Sequence, residues 1–323
     1  MSMTTPKVAL VTGATQGLGL ALAEGLAQRM APEDTVYLTG RNADRVAEAV
    51  EAMPGGGARV RGEILDVSDP GAAGRLAARL NQRHGGIDIV FSNAVMRVGP
   101  DDDPRAIVDD YTEVNNFGTT RVLRAFAPLL RDGGRIIVVA SSFGTLYYLA
   151  PVLHDRFDGL SSLDEVDKQV AAWRDAVKDS SARAGAWPGF VNIPSKIGQV
   201  AAVRTLARQR RHDDTARGIL LASACPGMMN TPTSAMWWDV SGAPSPADAA
   251  PALLDLALQP VKPGHYGELV RNGHVLPWAP GRQVLAKVGG GPWLPWSARL
   301  LAAGEGPAEG AAGEARARLT LRS

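Results

Sequence analysis

A glycine-rich turn between an apolar strand and a helix constrains the fold of this chain more than any other feature. Residues 7–12 are strand-like, glycines follow at once, and a helical pattern covers residues 18–28. Such glycines permit a tight turn and let backbone amides approach a pyrophosphate at the positive end of the helix. The pattern predicts a dinucleotide site, the alternative being a plain glycine-rich turn. Its predicted residues are Gly13, Thr15, Gln16, Gly17, Leu18 and Gly19.

Strand and helix patterns alternate through the rest of the chain. Near-continuous apolar runs such as residues 135–141 suit strands buried on both faces of a parallel sheet. Further strands are predicted at 35–39, 60–65, 87–92 and 219–224, and helices at 119–130 and 198–210. The alternation predicts an α/β fold with a doubly wound, Rossmann-type parallel sheet.

Two segments interrupt this alternation. Residues 143–191 form a long insert, in which Ser162 and Glu165 make a capping box before apolar residues at helical spacing. We expect an added helix on a single domain that covers residues 1–275. Residues 276–323 are a C-terminal extension, rich in Pro and Gly, and we expect it to be partly disordered. The apolar residues of the insert helix are Leu163, Val166, Val170, Trp173 and Val177.

Composition and charge exclude several classes of function. The net charge of +1 gives no global reason to expect nucleic acid or an anionic membrane as partner. The single cysteine excludes an internal disulfide, and no Cys/His cluster indicates a metal. No apolar run is long enough to span a bilayer, and the N-terminus does not resemble a signal peptide. We therefore expect a cytoplasmic protein whose partner is a small molecule.

The residues after the second strand bear on the choice of cofactor. An NAD site usually places an acid there to bind the ribose hydroxyl, whereas this chain has Thr39, Gly40, Arg41 and Asn42. The Arg41 guanidinium can pair with a 2′-phosphate. This favours NADP(H) as the cofactor, the alternative being that Arg41 is a solvated arginine.

The spacing TGxxxGxG and the motifs that follow it resemble the short-chain dehydrogenase/reductase family from about Lys7 to about Val270. The resemblance implies that Asp66 and Val67 lie at the adenine, and it matches Asn93 and Ala94 to a motif after the fourth strand. Asn115 matches the family's catalytic asparagine. The nicotinamide-contacting segment is matched by Pro226, Gly227 and Thr231.

The long insert narrows the resemblance to the carbonyl-reductase branch of that family. Asn192 follows Ser142 by 50 positions, far more than separates the corresponding serine and tyrosine in most members. In that branch the insert is associated with monomers, so we expect a monomer. The stretch 187–198 then resembles the branch's Tyr-x-x-x-Lys-Ile-Gly motif, with Asn192 in the tyrosine's place and Lys196 retained.

The family's chemistry makes that difference important. The family's tyrosine protonates a developing alkoxide, its lysine lowers the tyrosine pKa, its serine binds the carbonyl oxygen and its asparagine joins a water relay. The resemblance assigns Ser142, Lys196 and Asn115 to the last three roles. An asparagine amide does not ionise usefully near neutral pH, so another proton source is expected, or a reaction that needs none. The candidate donors are Tyr147, Tyr148 and, less directly, His154, aromatic packing of the insert being the alternative.

Apolar side chains dominate the predicted substrate side, and they suit a bulky hydrophobic substrate as well as ordinary packing. The leading hypothesis is an NADP-dependent reductase of an apolar carbonyl, enone or imine with an atypical proton donor. A non-redox dehydratase, isomerase or cyclase on the same scaffold and a catalytically silent NADP-binding protein remain alternatives. The predicted lining residues are Phe143, Trp187, Phe190, Met228, Met229, Met236, Trp237 and Trp238.

Overall fold

A computed structural model describes residues 5–280 of the chain, in which eight strands form one sheet. Seven strands run parallel, and the last pairs antiparallel at the edge. The order across the sheet is β3-β2-β1-β4-β5-β6-β7-β8. The strands are β1 (Val8–Val11), β2 (Thr35–Gly40), β3 (Arg59–Ile64), β4 (Ile87–Ser92), β5 (Leu130–Val139), β6 (Leu220–Ala224), β7 (Leu269–Arg271) and β8 (His274–Leu276).

Nine α-helices connect the strands within the same range. They are α1 (Gly17–Arg29), α2 (Ala43–Glu51), α3 (Ala72–His84), α4 (Pro104–Thr112), α5 (Gly118–Phe126), α6 (Leu163–Lys178), α7 (Asn192–Ala216), α8 (Pro232–Ala235) and α9 (Pro246–Leu258). A π-helical turn, Glu113–Phe117, joins α4 to α5. The strand order reverses between β1 and β4, which confirms the predicted doubly wound α/β fold. Ligands of such sheets bind where the carboxyl ends of the strands flank this reversal.

Apolar side chains cover both faces of the sheet. On one face α1 and α9 pack together, with Leu22, Leu26 and Leu253 buried. On the other face α3, α5 and α7 cover the strands, and Leu76, Phe126 and Val203 belong to the larger core. Burial on both faces explains why the strands are near-continuous apolar runs.

The insert folds as predicted, with a helix laid on the domain. Helix α6 begins after Ser162, whose hydroxyl accepts a hydrogen bond from the Glu165 amide at 3.2 Å. It packs against α4 and α7, and all five apolar residues predicted for its buried face are buried. Before α6, the insert starts in short 3₁₀ turns at Ser142–Gly144, Leu146–Tyr148 and Pro151–Arg156.

Two predicted helix boundaries are wrong. The helix predicted at 119–130 ends at Phe126, because Pro128 lies in a 3₁₀ turn that leads directly into β5. The helix predicted at 198–210 spans Asn192–Ala216. Pro194 is its third residue, where the backbone needs no N–H donor, so this proline lies inside the helix instead of preceding it.

Only the first five residues of the predicted C-terminal extension, 276–280, are among the described residues. Trp278 is buried there, and its indole N–H donates to Asp158 of the insert at 3.0 Å. The rest of the extension, including its predicted disorder, lies outside the described range. Within residues 5–280, no helix has both the length and the apolar composition needed to cross a membrane.

Candidate active site

The glycine turn after β1 adopts a conformation that favours glycine. Gly13 and Gly17 have φ angles of 63° and 57°, in the left-handed region. A Cβ added to Gly19 would clash with the Gly13 carbonyl oxygen and lie 2.5 Å from Asn93 Nδ2. The turn is therefore tightly packed at Gly19, with no room for a side chain between this residue and the Gly13 carbonyl oxygen.

Asn93, at the end of β4, fixes this turn from the neighbouring strand. Its Nδ2 donates to the carbonyl oxygens of Thr12 at 3.0 Å and Gly13 at 3.1 Å. The Thr12 hydroxyl in turn accepts from the amides of Asn93 and Ala94, at 2.9 and 3.0 Å. These contacts give Asn93 and Ala94 the role of holding the turn in shape.

The amino terminus of α1 carries no side-chain cap. Gln16 is its N-cap residue and makes no capping hydrogen bond, whereas Asn42 caps α2 by accepting from the Arg45 amide at 2.9 Å. First-turn amides without a protein partner are suited to an anionic phosphate. Leu18 is buried in the core, so only its backbone is placed to take part, and the Thr15 side chain packs on Gly40 of β2.

The clash at Gly19 gives a stability prediction. Gly19→Ala is expected to lower the free energy of unfolding by about 1–3 kcal/mol, as overpacking against fixed backbone does. Gly74 of α3 is the matched control because an added Cβ there meets nothing within 4 Å. Gly74→Ala should stabilise by about 0.5–1 kcal/mol. Urea unfolding of both variants tests this, and equal effects would contradict the tight turn.

The residues predicted to bind the far end of a dinucleotide lie beyond β2 and β3. Arg41 is exposed and makes no ion pair or side-chain hydrogen bond with the described part of the chain. The Asp66 carboxylate accepts from the Ser68 amide at 2.9 Å and from its hydroxyl at 2.6 Å. Val67 is buried against Gly118, so its side chain contributes to the core.

Asn115 lies in the π-helical turn between α4 and α5. Its Oδ1 accepts from the Met96 amide at 2.7 Å, and its Nδ2 donates to the Met96 carbonyl at 3.2 Å. The π turn interrupts the regular ladder of the helix, and such turns are frequent at functional sites. The Asn115 carbonyl oxygen accepts from side chains, namely the Thr119 hydroxyl at 2.8 Å and the Gln199 amide at 2.7 Å.

Lys196 extends from the second turn of α7 into the interior. Its Nζ donates to Gln199 Oε1 at 2.8 Å and to the Val139 carbonyl oxygen, at the end of β5, at 3.3 Å. The Gln199 amide donates onward to Asn115 and to Thr119 Oγ1, the latter at 3.1 Å. These hydrogen bonds make Gln199, which is only 2% exposed, a bridge between Lys196 and Asn115. Sequence analysis missed it, although its i,i+3 spacing from Lys196 places both on one helix face.

Burial lowers the pKa of Lys196 from its ordinary 10.5 to about 8, and the neighbouring Cys225 opposes this shift. Below pH 8 both folded and unfolded chains hold the proton, and the folded state bears the full cost of burying the ammonium. Between pH 8 and 10.5 the unfolded chain binds more protons, so stability rises with pH.

This shift predicts a pH-dependent difference between the wild type and Lys196→Met. Across the window from pH 8 to 10.5 the wild type should gain about 3 kcal/mol of unfolding free energy relative to the variant. Urea unfolding at both ends of the window measures the difference, and other titrating groups cancel in the comparison. A difference that does not change with pH would show that the ammonium is solvated in the folded protein.

Asn192 is the first residue of α7, one turn before Lys196. Its Oδ1 accepts from the Tyr111 hydroxyl of α4 at 3.1 Å. Tyr111 is 1% exposed, and burial raises its pKa well above the ordinary value, although hydrogen bonds with Asn115 and Ser195 oppose the shift. The phenol therefore stays protonated at neutral pH. Sequence analysis did not connect Tyr111 with the site, because 81 positions separate it from Asn192.

Ser142 begins a 3₁₀ turn that packs on α7. Ser141 caps the turn, because its hydroxyl accepts a hydrogen bond from the Phe143 amide at 3.3 Å. The Ser142 hydroxyl makes no hydrogen bond to residues 5–280 and is therefore free for a ligand. A Cβ added to Gly144 would lie 2.9 Å from the Lys196 carbonyl oxygen. The turn therefore lies directly against the helix that carries Asn192 and Lys196.

The structure does not join the predicted substitute proton donors to this network. Tyr147 is 38% exposed, and Tyr148 packs edge-on against Phe143 at 5.1 Å between ring centroids. Neither phenol hydrogen-bonds to another described residue. His154 Nε2 bonds to the Leu149 carbonyl oxygen at 2.9 Å. Tyr111 is the phenol that contacts Asn192.

The segment predicted to contact a nicotinamide follows β6. Gly227 has a φ of 82°, and an added Cβ would lie 3.5 Å from Arg271 Nη2, whereas Pro226 is half-buried beside it. Thr231 caps α8 by accepting from the Ser234 amide at 3.1 Å. Thr231 also donates to the Ser234 hydroxyl at 3.0 Å, so both its donor and its acceptor are used locally.

Aromatic rings cluster beside Ser142 and Asn192. Phe190 contacts Trp237 at 4.8 Å and Phe143 at 5.9 Å between centroids, and the Trp237 indole donates to the Val98 carbonyl at 3.0 Å. Every ring of this aromatic cluster is half-buried. Its members are Phe143, Tyr148, Phe190, Trp237 and Trp238.

The other predicted lining residues divide into two groups. Met228 and Met236 are exposed, and Met236 Sδ lies 3.6 Å from a Cβ added to Gly99. Trp187, by contrast, is buried in the insert against Phe157, and Met229 packs on the core beneath α1 and α9. In residues 5–280, no three His, Cys, Asp or Glu side chains are grouped as metal ligands.

Comparison with known proteins gives similarities in sequence and in structure. A short-chain dehydrogenase family model matches residues 7–151. Carbonyl reductase (NADPH) 1 of Rattus norvegicus is 31% identical over 281 residues, which cover 84% of this chain and 98% of that protein. Carbonyl reductase (NADPH) 3 of Mus musculus is 31% identical over 279 residues, with the same coverage of both chains.

Two solved structures have the same fold. Salutaridine reductase from Papaver somniferum superposes with a TM-score of 0.67 at 22% identity, over 81% of this chain and 99% of that chain. Menthone neomenthol reductase from Mentha piperita has a TM-score of 0.67 at 22% identity, over 84% of this chain and 100% of that chain.

Proposed function

The chain belongs to the short-chain dehydrogenase family, and from this premise we propose that it is an NADP(H)-dependent reductase of a bulky apolar carbonyl, enone or imine. In this proposal Asn192 stands where the family's tyrosine donates a proton, so the enzyme reduces its substrate without that acid. The NADPH in the names of the carbonyl reductases at 31% identity supports the choice of cofactor.

The observation that carries the proposal is the position of Lys196. A buried ammonium is costly, yet two acceptors hold it at the carboxyl end of β5, one helical turn from Asn192. Such a group is suited to the ribose hydroxyls of a cofactor that lies along the carboxyl ends of the strands. Because Lys196 is retained while Asn192 replaces the tyrosine, we infer that the site still binds the cofactor but lacks the acid.

The residues at the switch point between β1 and β4 fit a dinucleotide. The uncapped α1 terminus and the left-handed Gly13 and Gly17 would face the pyrophosphate, and the exposed Arg41 would pair with a 2′-phosphate. Gly227 would approach the nicotinamide with its backbone. When bound, NADPH supplies a hydride, and the chain's own residues orient the substrate and hold its oxygen.

Arg41 gives a prediction on cofactor preference. Arg41→Ala is expected to weaken NADPH binding about tenfold, the loss of one charge-assisted contact, and to leave NADH binding unchanged. Fluorescence titration of the reduced nucleotides measures both affinities. Arg105 is a control because it is also exposed but lies on α4. If Arg41→Ala weakened the binding of NADPH and of NADH equally, Arg41 would not be the residue that selects the 2′-phosphate.

The test of the proposed function is consumption of NADPH in the presence of apolar ketones, enones and cyclic imines. Loss of NADPH absorbance with any of these classes, abolished in Lys196→Met, is the expected result. Binding of NADPH without consumption across all three classes would contradict reductase activity. That outcome would favour a non-redox enzyme or a silent NADP-binding protein.

A further inference from the structure

The amide of Asn192 has a defined orientation. Tyr111 is buried and protonated, and its hydroxyl donates to Asn192 Oδ1. The oxygen of the amide is thereby committed to Tyr111, so Nδ2, at the opposite corner of the planar amide, points away from it. Nδ2 donates to none of the described residues, and Asn192 is half-buried. Asn192 therefore offers a hydrogen-bond donor that the fold itself does not use.

Ser142 offers a second unused donor. Its turn packs on α7, and Ser141 has taken the capping role within that turn. The site thus presents two neutral donors, an amide N–H and a hydroxyl. Neutral donors that are fixed in place stabilise negative charge developing on an oxygen, as in oxyanion holes.

Lys196 Nζ donates to Gln199 and to the Val139 carbonyl oxygen, and to neither Asn192 nor Ser142. The Gln199 side chain occupies the space between Lys196 Nζ and the Asn115 carbonyl oxygen, with hydrogen bonds at both ends. An amide neither takes up nor releases a proton near neutral pH. Gln199 is therefore a positioning residue that holds the ammonium in place. Neither Asn192 nor Ser142 is an acid near neutral pH, so the two donors can hold an oxyanion but cannot themselves protonate one.

A site with two neutral donors and no acid favours one kind of hydride acceptor over another. Hydride addition to a carbonyl carbon leaves an alkoxide, a strong base that needs a proton at once. Conjugate addition to an enone leaves an enolate, whose oxygen is much less basic than that of an alkoxide because the charge is shared with the α-carbon, so two hydrogen bonds can hold it. Resting on the proposed function, we propose that the substrate is a bulky, apolar α,β-unsaturated ketone reduced at its C=C bond, with Asn192 and Ser142 binding the enolate oxygen.

The step is balanced by the cofactor and water. A hydride from NADPH forms a C–H bond at the β-carbon, the C=C electron pair moves toward the carbonyl carbon, and the carbonyl π pair moves to oxygen. Water then donates a proton to the α-carbon, which gives the saturated ketone, NADP⁺ and hydroxide. Neither Asn192 nor Ser142 gives up a proton at any stage.

The aromatic cluster is placed for the body of such a substrate. Phe143 follows Ser142 directly in the chain, Phe190 lies two residues before Asn192, and their two rings contact each other at 5.9 Å between centroids. Trp237 and Trp238 add two more half-buried rings. Flat conjugated systems stack favourably on such faces, and the half-exposed rings leave area for them to cover.

The first test compares trans-chalcone with its saturated product, 1,3-diphenylpropan-1-one, each with NADPH, and identifies products by mass and NMR. We expect the saturated ketone from chalcone, at least about 10² times faster than reduction of the saturated ketone itself. Allylic alcohol as the main product, or comparable reduction of the saturated ketone, would overturn the inference and leave the proposed function intact. If NADPH binds but is consumed with neither compound, the inference is overturned, and the proposed function is overturned as well only if other apolar ketones, enones and cyclic imines also fail.

The second test measures how well the two donors bind an anionic oxygen, without any turnover of substrate. A nitrophenol imitates an enolate, and bound to the NADP⁺ complex it should show more phenolate absorbance than in buffer at the same pH. Asn192→Leu and Ser142→Ala should each remove this gain, and Asn192→Leu should slow enone reduction about 10²-fold. Asn81→Ala, exposed on α3, should leave both readouts unchanged. A phenolate gain that survives in Asn192→Leu would show that Asn192 does not bind the oxyanion.

Discussion

Replacing Asn192 with tyrosine is expected to raise the rate of ketone reduction by about 10²–10⁴-fold, the usual contribution of a positioned general acid. Residue 192 begins α7, and Lys196 lies one turn further along the same helix. Residues four apart on a helix share a face, so a phenol at 192 would lie close to the ammonium. A neighbouring ammonium lowers the pKa of a phenol and makes it a better acid.

The control for this gain is Asn192→Phe, which matches the ring of tyrosine but lacks its hydroxyl. NADPH oxidation with a panel of apolar ketones should increase in the tyrosine variant and should not rise above the wild-type level in the phenylalanine variant. Adding Lys196→Met to the tyrosine variant should remove the gain. If Asn192→Tyr were no faster than Asn192→Phe, the missing hydroxyl would not be what limits ketone reduction.

The second large effect that we predict is on stability, and it comes from the packing of the insert helix α6. Trp173 is fully buried on α6, in the core that the insert shares with α4 and α7. Trp173→Ala is expected to lower the free energy of unfolding by about 3–5 kcal/mol, because it leaves a cavity where a large ring packed. Chemical denaturation followed by circular dichroism measures the loss.

Two further variants show whether the loss comes from packing. The Trp173 indole N–H has no acceptor among the described residues, so Trp173→Phe gives up no hydrogen bond and should cost clearly less than the alanine variant. Val152 of the insert is 76% exposed, and Val152→Ala should change stability by less than about 0.5 kcal/mol. Near-wild-type stability of Trp173→Ala would mean that α6 is not part of the cooperative core.

Local pattern was sufficient to predict the sheet and the insert helix, because both depend on apolar spacing and capping. The run at 135–141 identified a strand buried on both faces, and Ser162 identified the start of α6. The start of α7 was placed six residues late, because Pro194 was not recognised as a first-turn proline. The sequence thus predicted the elements better than their ends.

The network around Asn192 could not be predicted, since its contacts join residues far apart in the chain. Tyr111 meets Asn192 across 81 positions, and Gln199 meets the Asn115 carbonyl across 84. A tyrosine on a helix is ordinarily a core residue, and nothing local distinguishes Tyr111 from one. The π turn that contains Asn115, whose carbonyl oxygen accepts from Gln199, is not marked by glycine, proline or a capping residue within it.

We propose that the nucleotide part of this site is complete although residue 192 carries no acid. Calorimetric titration of the wild type and of Asn192→Tyr with NADPH and NADH tests it most directly. We expect one NADPH site, tighter than for NADH, with the same affinity in both proteins. Failure of the wild type to bind either nucleotide, with binding gained only in Asn192→Tyr, would contradict it.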